Sequence, residues 1–593
     1  MNFWNSSIGR LVLGSWEATF GHRGKFILFL LMFVCAYSVD LAGPWVVGYI
    51  LGSIVNNGIS ADGMNQVLVG VVGYTALRLI YTILHHLARY IQNTVAYHAR
   101  MAVMAKMFNA FLAFPLRWHL HRHTGENLSK LHRSVGAVDQ MISTYVWQLV
   151  EGLVKIIFAG ITIFLLDYMV AINVLFMVML TIGLMLFYNR RWVSFLRENN
   201  AFYDKLNRTV VDFFFNIVTV KTLRLEQSGK NYFGERQPLG LNVSQKISKF
   251  QELKWGSVSI GYSVVMGSSL WIYLSDRHSV NSAVEVASVY VLMNYLDRIF
   301  QAVNSFTGYY GAILESATAY EEGDKVLREL KDLPIENKPR QAPLDWKEFE
   351  LSNLFFSYGS GNSAGIQGLS LKVKRGSKIA LVGPSGGGKS TLLKIMGGMI
   401  VPEDYSLSFD AKSGYAIEDL SGISLLIPQE PEIFTETVQY NLAVGQIVDQ
   451  NIVEQFVNIC KVDQVISKLP GSWSNFLAEK GLNLSGGERQ RIALARGLIR
   501  SKDREILLLD EPTSSVDPFT EKEIFCNLLT HFKDATVLTA CHRLALVPLF
   551  DYIIYVESGV VREYGSFEDL VETNDGYFAK AWKDYQTKVA RIS

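Results

Sequence analysis

The hydrophobic and polar positions follow two different patterns along the chain. Up to about residue 305 there are six apolar runs, near 26–55, 67–90, 143–166, 168–188, 255–275 and 283–305. Each is long enough for the roughly 20 helical residues that cross a bilayer. Beyond residue 345 the apolar runs shorten to SKIALVG, GISLLIP, EILLLDE and ATVLTAC, separated by helical patterns. That alternation predicts an α/β domain with a largely parallel sheet. Ahead of the first run, NFWNSSIGRLVLGSWEATFG spaces Trp4, Leu11 and Trp16 among polar residues, as in an amphipathic helix lying at a membrane interface.

The flanking charges give the apolar runs an orientation. Asn56 to Gln66 contains no Lys or Arg, and neither does the turn at Asp167–Tyr168. The connection between runs two and three carries Arg100, Lys106, Arg117, Arg122, Lys130 and Arg133. The one between runs four and five carries Arg190, Arg191, Arg197, Lys205, Arg208, Lys221 and Arg224. The positive-inside rule therefore places the N-terminus, both long connections and the C-terminal domain in the cytoplasm. The charged EEGDKVLRELKDLPIENKPRQAP, with Pro334, Pro339 and Pro343, reads as a linker. A net charge of +1 gives no sign of nucleic-acid binding, and the four cysteines show neither metal-ligand nor disulfide spacing. The first apolar run is too long for a cleavable signal peptide, and the expected location is a bacterial inner membrane.

The candidate chemistry lies in the second half. LVGPSGGGKSTLLKIM matches G-x-x-x-x-G-K-[ST] in the strand–loop–helix setting that motif needs. Gly383, Gly386, Gly387 and Gly388 let backbone N–H groups converge on phosphate oxygens without a Cβ in the way. Lys389 can reach the β- and γ-phosphates, and Ser390 can place a hydroxyl on Mg²⁺. Downstream, the apolar strand Ile506 to Leu509 delivers Asp510 to the metal, and Glu511 follows where a base can activate water.

With these residues in hand the chain resembles the ATP-binding cassette (ABC) transporters. The resemblance rests on GPSGGGKST (Gly383, Pro384, Ser385, Gly386, Gly387, Gly388, Lys389, Ser390, Thr391) and on Gln429 in LLIPQEPEIF. It also rests on LSGGERQ (Leu484 to Gln490), LLLDE, SSVD ending at Asp517, and His542 in ACHRL. Six spans followed by one cassette is the arrangement of exporter-type half-transporters. The implied fold is an all-α six-helix transmembrane domain followed by an α/β P-loop nucleotide-binding domain. The expected boundaries are an elbow helix at 1–25, the transmembrane domain at 26–320, a linker at 321–345 and the cassette at 346–593. The resemblance implies that Tyr358 stacks on adenine and that Lys389, Ser390, Gln429 and Asp510 handle nucleotide and Mg²⁺. It makes Glu511 the base and His542 a contact to the γ-phosphate. Phe114 to Gln140 and Asn207 to Gln227 resemble the segments that carry coupling helices to the cassettes. Ser485, Gly486 and Gly487 would grip the ATP of a second chain from the far side, since in this family the signature turn faces the partner's glycine loop. The implied partners are a second half-transporter, with a homodimer favoured because no hydrolytic residue is missing, and the lipid bilayer. Glu488 and Gly497 depart from common family residues, and Val401 to Gly422 matches the family poorly, which leaves its strand pairing open.

Five ionisable residues fall well inside the apolar runs: Asp40, Arg78, Lys155, Asp297 and Arg298. Such residues are expensive in hydrocarbon and default to functional hypotheses. They are expected to line a path for an amphipathic or anionic substrate such as a lipid, a lipid-linked glycan, a glycan or a drug-like molecule. The alternative for Lys155 is an i,i+4 pair with Glu151. His119, His121 and His123 read as basic surface near headgroups rather than as a metal site, and His85 and His86 as packing donors. An importer on the same fold and an ATP-gated channel remain the rival readings; a soluble ABC ATPase is excluded by the six runs.

Overall fold

The computed structural model describes residues 6–58, 60–115, 118, 119, 122, 124–279, 285–332, 342, 343, 345–358, 365–502 and 504–592. The chain divides into two compact units, residues 1–114 with 122–333 and residues 115–121 with 334–593.

Among the described residues of the first unit all regular elements are helices. Its elements are α1 (Ser7–Ala18), α2 (Arg23–Leu41), α3 (Gly43–Asn57), α4 (Ala61–Ala113), α5 (Thr124–Gln140), α6 (Val146–Leu166), α7 (Tyr168–Phe215), α8 (Ile217–Thr222), α9 (Glu226–Ser279) and α10 (Val286–Asp332). Among the described residues, four helical stretches are long and apolar enough to cross a membrane: Arg23–Asn57, Ala61–Ala113, Asn127–Leu166 and Glu226–Arg277. Tyr168–Leu184 is a shorter apolar helix. From Val286 on, the sixth expected run lies within α10, whose hydropathy is lowered by Asn294, Asp297, Arg298 and Asn304. Large apolar side chains such as Val69, Leu165 and Trp271 face outward, up to 75% exposed at Leu165. A surface of this kind needs lipid as its solvent.

Three departures from the sequence reading have physical causes. The first apolar run is not one helix, because the chain breaks at Ala42, between α2 and α3. Pro44 has no N–H to donate back to Asp40 O, and beside the break the buried Tyr295 hydroxyl donates to Leu41 O at 2.5 Å. The third run begins in a π-helical turn at Met141–Tyr145. The carbonyls that this wide turn loosens are taken up from α4, where Gln92 donates to Ile142 O and Arg89 to Ser143 O, both at 2.6 Å. Residues 321–332, read as linker, continue α10 as helix. Their charges are helix-spaced, with Lys325–Glu321 at 3.8 Å and Arg328–Asp324 at 2.9 Å as i,i+4 pairs.

The described residues of the second unit form two sheets. The larger has the order β10-β9-β3-β8-β7-β6, built from β3 (Lys378–Val382), β6 (Ser424–Ile427), β7 (Ile506–Asp510), β8 (Thr536–Ala540), β9 (Tyr552–Glu557) and β10 (Val560–Gly565). All of its pairings are parallel except that of β9 with β10. Leu507 and Leu509 point into one core and Ile506 and Leu508 into the other, so β7 is buried on both faces. That two-sided burial explains its unbroken apolar run. The smaller sheet is antiparallel, β2-β1-β4-β5, from β1 (Glu348–Phe356), β2 (Ile366–Lys374), β4 (Asp404–Phe409) and β5 (Lys412–Tyr415). The sequence reading did not foresee it. It answers the open pairing of Val401 to Gly422: β4 pairs with β1 and turns back on β5. The hairpin closes at Asp410 and Ala411, whose φ values of +48° and +64° are those of a two-residue turn.

Candidate functional site

The parallel sheet gathers the candidate residues at the C-terminal ends of its strands. Ala540 of β8 is in register with Leu381 of β3 on one side and Asp510 of β7 on the other. The glycine loop after β3, the carboxylates at the end of β7 and His542 beyond β8 therefore emerge side by side. Gln429 follows β6, whose Ile427 is in register with Leu509. Such a rim of loops beyond parallel strands is where open α/β sheets bind ligands.

In the glycine loop, Gly383, Gly386 and Gly388 take φ values of +145°, +78° and +107°. A Cβ at Gly383 would lie 2.0 Å from Val556 O, so here the glycine is required by space as well as by conformation. Helix α11 (Lys389–Met396) starts at Lys389, which is 5% exposed. Its ammonium donates to Gly383 O at 2.8 Å and Pro384 O at 3.0 Å, and burial lowers its pKa. Ser390 Oγ donates to Asp510 Oδ1 at 2.7 Å. Burial raises the pKa of Asp510, which is 1% exposed. The Tyr358 hydroxyl lies 3.1 Å from Thr391 Oγ1, with its ring exposed at the lip of the loop.

Glu511 adopts φ +47°, a left-handed conformation uncommon for a residue with a Cβ. Gln429 Nε2 donates to its Oε2 at 2.8 Å, and His542 Nε2 is 3.8 Å from its Oε1. Burial raises the Glu511 pKa despite the neighbouring His542 and Lys389. Beside it is a cavity of about 320 Å³ that reaches Thr513, Glu521, Cys541 and Arg543.

The signature turn is shaped by its own cap. Ser485 caps α12 (Gly486–Ile499): its N–H donates to Glu488 Oε2 at 2.9 Å, and its Oγ accepts from Glu488 N at 3.3 Å. Glu488, noted above as a departure, therefore closes a capping box. At Gly497 a Cβ would lie 2.5 Å from Ile427 Cδ1, so the glycine leaves room for that isoleucine. Gln490 ties the turn to SSVD, donating to Ser514 Oγ at 2.8 Å and accepting from Ser515 N at 2.7 Å. Asp517 caps α13 (Pro518–His531), accepting from Thr520 N at 2.9 Å, and that N–H holds its pKa below the usual range.

Sequence reasoning missed Glu521. It is 5% exposed and holds two loops at once: its Oε1 accepts from Thr513 Oγ1 and its Oε2 from Arg543, both at 2.7 Å. Thr513 follows Glu511 in the same turn, and Arg543 adjoins His542. No spacing rule links these positions, and their only signal was proximity to recognised motifs.

In the helical unit the five expected ionic residues do not form one group. Asp40 accepts from Arg78 and, at 2.6 Å, from Arg298. This cluster is one acid with two guanidinium groups and leaves one positive charge in surplus. Arg78 is about half exposed and Asp40 largely buried. Lys155 pairs with Glu151 at 2.7 Å, the local alternative, so it is not a free charge along the expected path. Asp297 accepts from the Tyr262 hydroxyl. His85 Nδ1 lies 3.4 Å from the Tyr37 hydroxyl and packs among Phe33, Tyr81 and Trp147, as a packing residue would. His121 and His123 lie outside the described residues, and the His119 ring meets Trp118.

A glycine phosphate loop, paired carboxylates and a capped signature turn on one α/β sheet, joined to a block of lipid-facing helices, define an integral membrane protein with an ATP-binding cassette. The ABC transporter family profile matches residues 366–514, and that of the ABC transporter transmembrane region matches residues 26–236, together more than half of the 593 residues. The chain belongs to the ABC transporters. It is similar to ATP-binding cassette sub-family B member 6 of Rattus norvegicus, 28% identical over 504 residues, covering 81% of this chain and 57% of that protein. It is also similar to the ATM1-type heavy metal exporter of Novosphingobium aromaticivorans, 25% identical over 590 residues, covering 96% of this chain and 94% of that protein. A solved bacterial Atm1-family ABC exporter with ATP bound shares the fold, with a TM-score of 0.82 at 22% identity over 95% of this chain and 99% of that one. The chain thus spans 57% of the length of the mammalian relative.

Proposed function

We propose that this protein is an ATP-driven exporter that works as a pair of chains in a bilayer, with six spans and both termini cytoplasmic. The observation that carries the hydrolytic reading is Glu511: a partly buried carboxylate in a left-handed conformation, held by Gln429 and facing His542, one residue after the Asp510 that Ser390 touches. Lys389 and the loop N–H groups receive the β- and γ-phosphates. Ser390, Asp510 and Gln429 are oxygen donors of the kind Mg²⁺ takes, and the ion would supply charge neutralisation on the phosphates. Glu511 orients the attacking water and accepts its proton, and His542 contacts the γ-phosphate. Tyr358 stacks on adenine. Ser485, Gly486 and Gly487 present α12 N–H groups to the ATP of the partner, with Asp517 beside them.

The relative of matching length is named a heavy metal exporter, and another is named an iron-sulfur clusters transporter. These names favour a heavy-metal-linked substrate over the lipid, glycan or drug-like substrates left open by the sequence. The surplus positive charge at Asp40, Arg78 and Arg298 suits an anionic form of it.

The test is ATPase activity of the chain purified alone in lipid nanodiscs, with Glu511→Gln as the blank, followed by a screen of metal, lipid and glycan compounds for stimulation. Activity above the blank supports a homodimer. ATP binding without turnover under every condition would overturn that homodimer reading. Uptake into sealed inverted vesicles separates export from import, and electrical recording separates pumping from conduction.

A further inference from the structure

The corner where α1 gives way to α2 carries a cluster that neither the cassette nor the Asp40 group uses. The chain turns at Gly21, φ +86°, and leaves Phe20 79% exposed. The Arg23 guanidinium lies over two aromatic rings, 4.6 Å from the centre of Trp16 and 5.4 Å from that of Phe20. Among the described residues no carboxylate pairs with Arg23 or with the exposed Lys25, and Arg23 Nε is enclosed without a hydrogen-bond partner. The acid on the adjoining turn, Glu17, is taken by Lys106 at 3.6 Å. Across the corner the His22 and His98 rings stack, 4.1 Å between centres and 18° apart. Two imidazoles so close repel when both are charged, and a neighbouring anion offsets that repulsion.

Arg23, seated on two aromatic rings, and the exposed Lys25 two residues on, both without acids among the described residues, form a surface for a phosphate group. Its position selects the source of that phosphate. Arg23 opens the first apolar stretch, at the end that the charge bias assigns to the cytoplasm. Directly above it Ile27, Leu28 and Leu31 face outward, about half exposed. A free anion would use only the cations. A phospholipid would also lay its acyl chains along those apolar residues, with Trp16 and Phe20 at headgroup depth where such rings concentrate. We propose that this corner is a headgroup site for an anionic phospholipid, with Arg23 and Lys25 binding its phosphate.

The test is native mass spectrometry of the full chain in detergent, without ATP, titrated with phosphatidylglycerol or with phosphatidylcholine of the same acyl chains. Lipid retention is read with no turnover, so its failure is separate from failure of the transport reading. Phosphatidylglycerol is expected to bind in preference. Lys25→Gln, an exposed change that leaves packing intact, should weaken it about fivefold, and Arg23→Gln/Lys25→Gln roughly 25-fold. Lys205→Gln, a remote exposed cation, should leave it unchanged. Wild-type retention by the Lys25→Gln and double variants would overturn the site, as would an equal loss in Lys205→Gln. Displacement of the lipid by inorganic phosphate at matched concentration would also overturn it, assigning the corner to a soluble anion.

Discussion

Glu511 holds a conformation that costs a residue with a Cβ on the order of 1–3 kcal/mol, and the surrounding loops keep it there: Gln429 donates to its carboxylate and His542 stands opposite. Glu511→Gln keeps the shape and removes the carboxylate proposed as the base. It is expected to bind ATP with near-wild-type affinity while turnover falls at least ~100-fold, as checked by phosphate release and nucleotide binding on one preparation. Burial raises the Glu511 pKa, so it takes up its proton at a higher pH than an exposed glutamate does. A base must be ionised, so the ATPase rate should fall on the acid side at a pH above the ordinary value of about 4.3. A pH–rate profile at saturating ATP measures this. Glu521 yields a prediction of another kind. Glu521→Ala leaves Arg543 without its acid and Thr513 without an acceptor, a loss of ~3 kcal/mol for a broken buried pair. Thermal unfolding of the intact protein should report it. Glu521→Met/Arg543→Met should recover stability, whereas turnover stays low if the staple positions His542. The motif residues were legible because their chemistry depends on neighbours along the chain. Glu521 was not, because its two partners are brought to it by two separate loops.

The elements show how local pattern and distant packing share the work. Helix α1 was readable from its amphipathic spacing and starts at a Ser6 cap that accepts from Gly9 N at 3.1 Å. What anchors it was not readable: Ser7 donates to Glu321, and Arg10 meets the same carboxylate at 2.6 Å, more than 300 positions along the chain. The Ser7 hydroxyl, followed by Arg10, outweighs partial burial and holds the Glu321 carboxyl below its usual range. A lowered acid contributes stability above its unfolded pKa and loses it as pH falls through the folded value. Glu321→Gln should therefore speed amide exchange in α1 at neutral pH. In the wild type the same loosening should come only in acid, below the ordinary glutamate range. Hydrogen exchange across α1 at two pH values tests both. The break between α2 and α3 falls at Ala42, just before Gly43–Pro44, inside what the apolar pattern presents as one run near 26–55. Length alone does not reveal that Tyr295, more than 250 positions along the chain, donates to Leu41 O beside the break.

For the whole molecule, each chain carries one glycine loop and one signature turn, so the proposed pair can be taken apart genetically. Lys389→Ala removes the first grip and Ser485→Arg obstructs the second, and each variant alone should be without turnover. Co-expressed under different tags and purified by both, the two form a pair with one composite site bearing both lesions and one intact. That pair is expected to recover a measurable ATPase rate. Recovery by neither mixing order would count against sites shared between chains.

The amino-acid sequence by itself determined the two-part organisation, the charge bias of the helical half and which motif residues are candidates for handling nucleotide. Each of these depends on composition or on spacings within a few dozen residues, which bilayer thickness and phosphate geometry prescribe. Tertiary structure alone decided which charges meet. Asp40 is shared by Arg78 and Arg298, 38 and 258 positions away, while Lys155 turns to Glu151 on its own helix. It also decided that a second, antiparallel sheet pairs β1 with β4 and that one buried glutamate staples the loops of Glu511 and His542. The reason is that a buried charge or an unpaired strand edge must find a partner, and which partner comes within reach is a property of the packed chain rather than of any stretch of it.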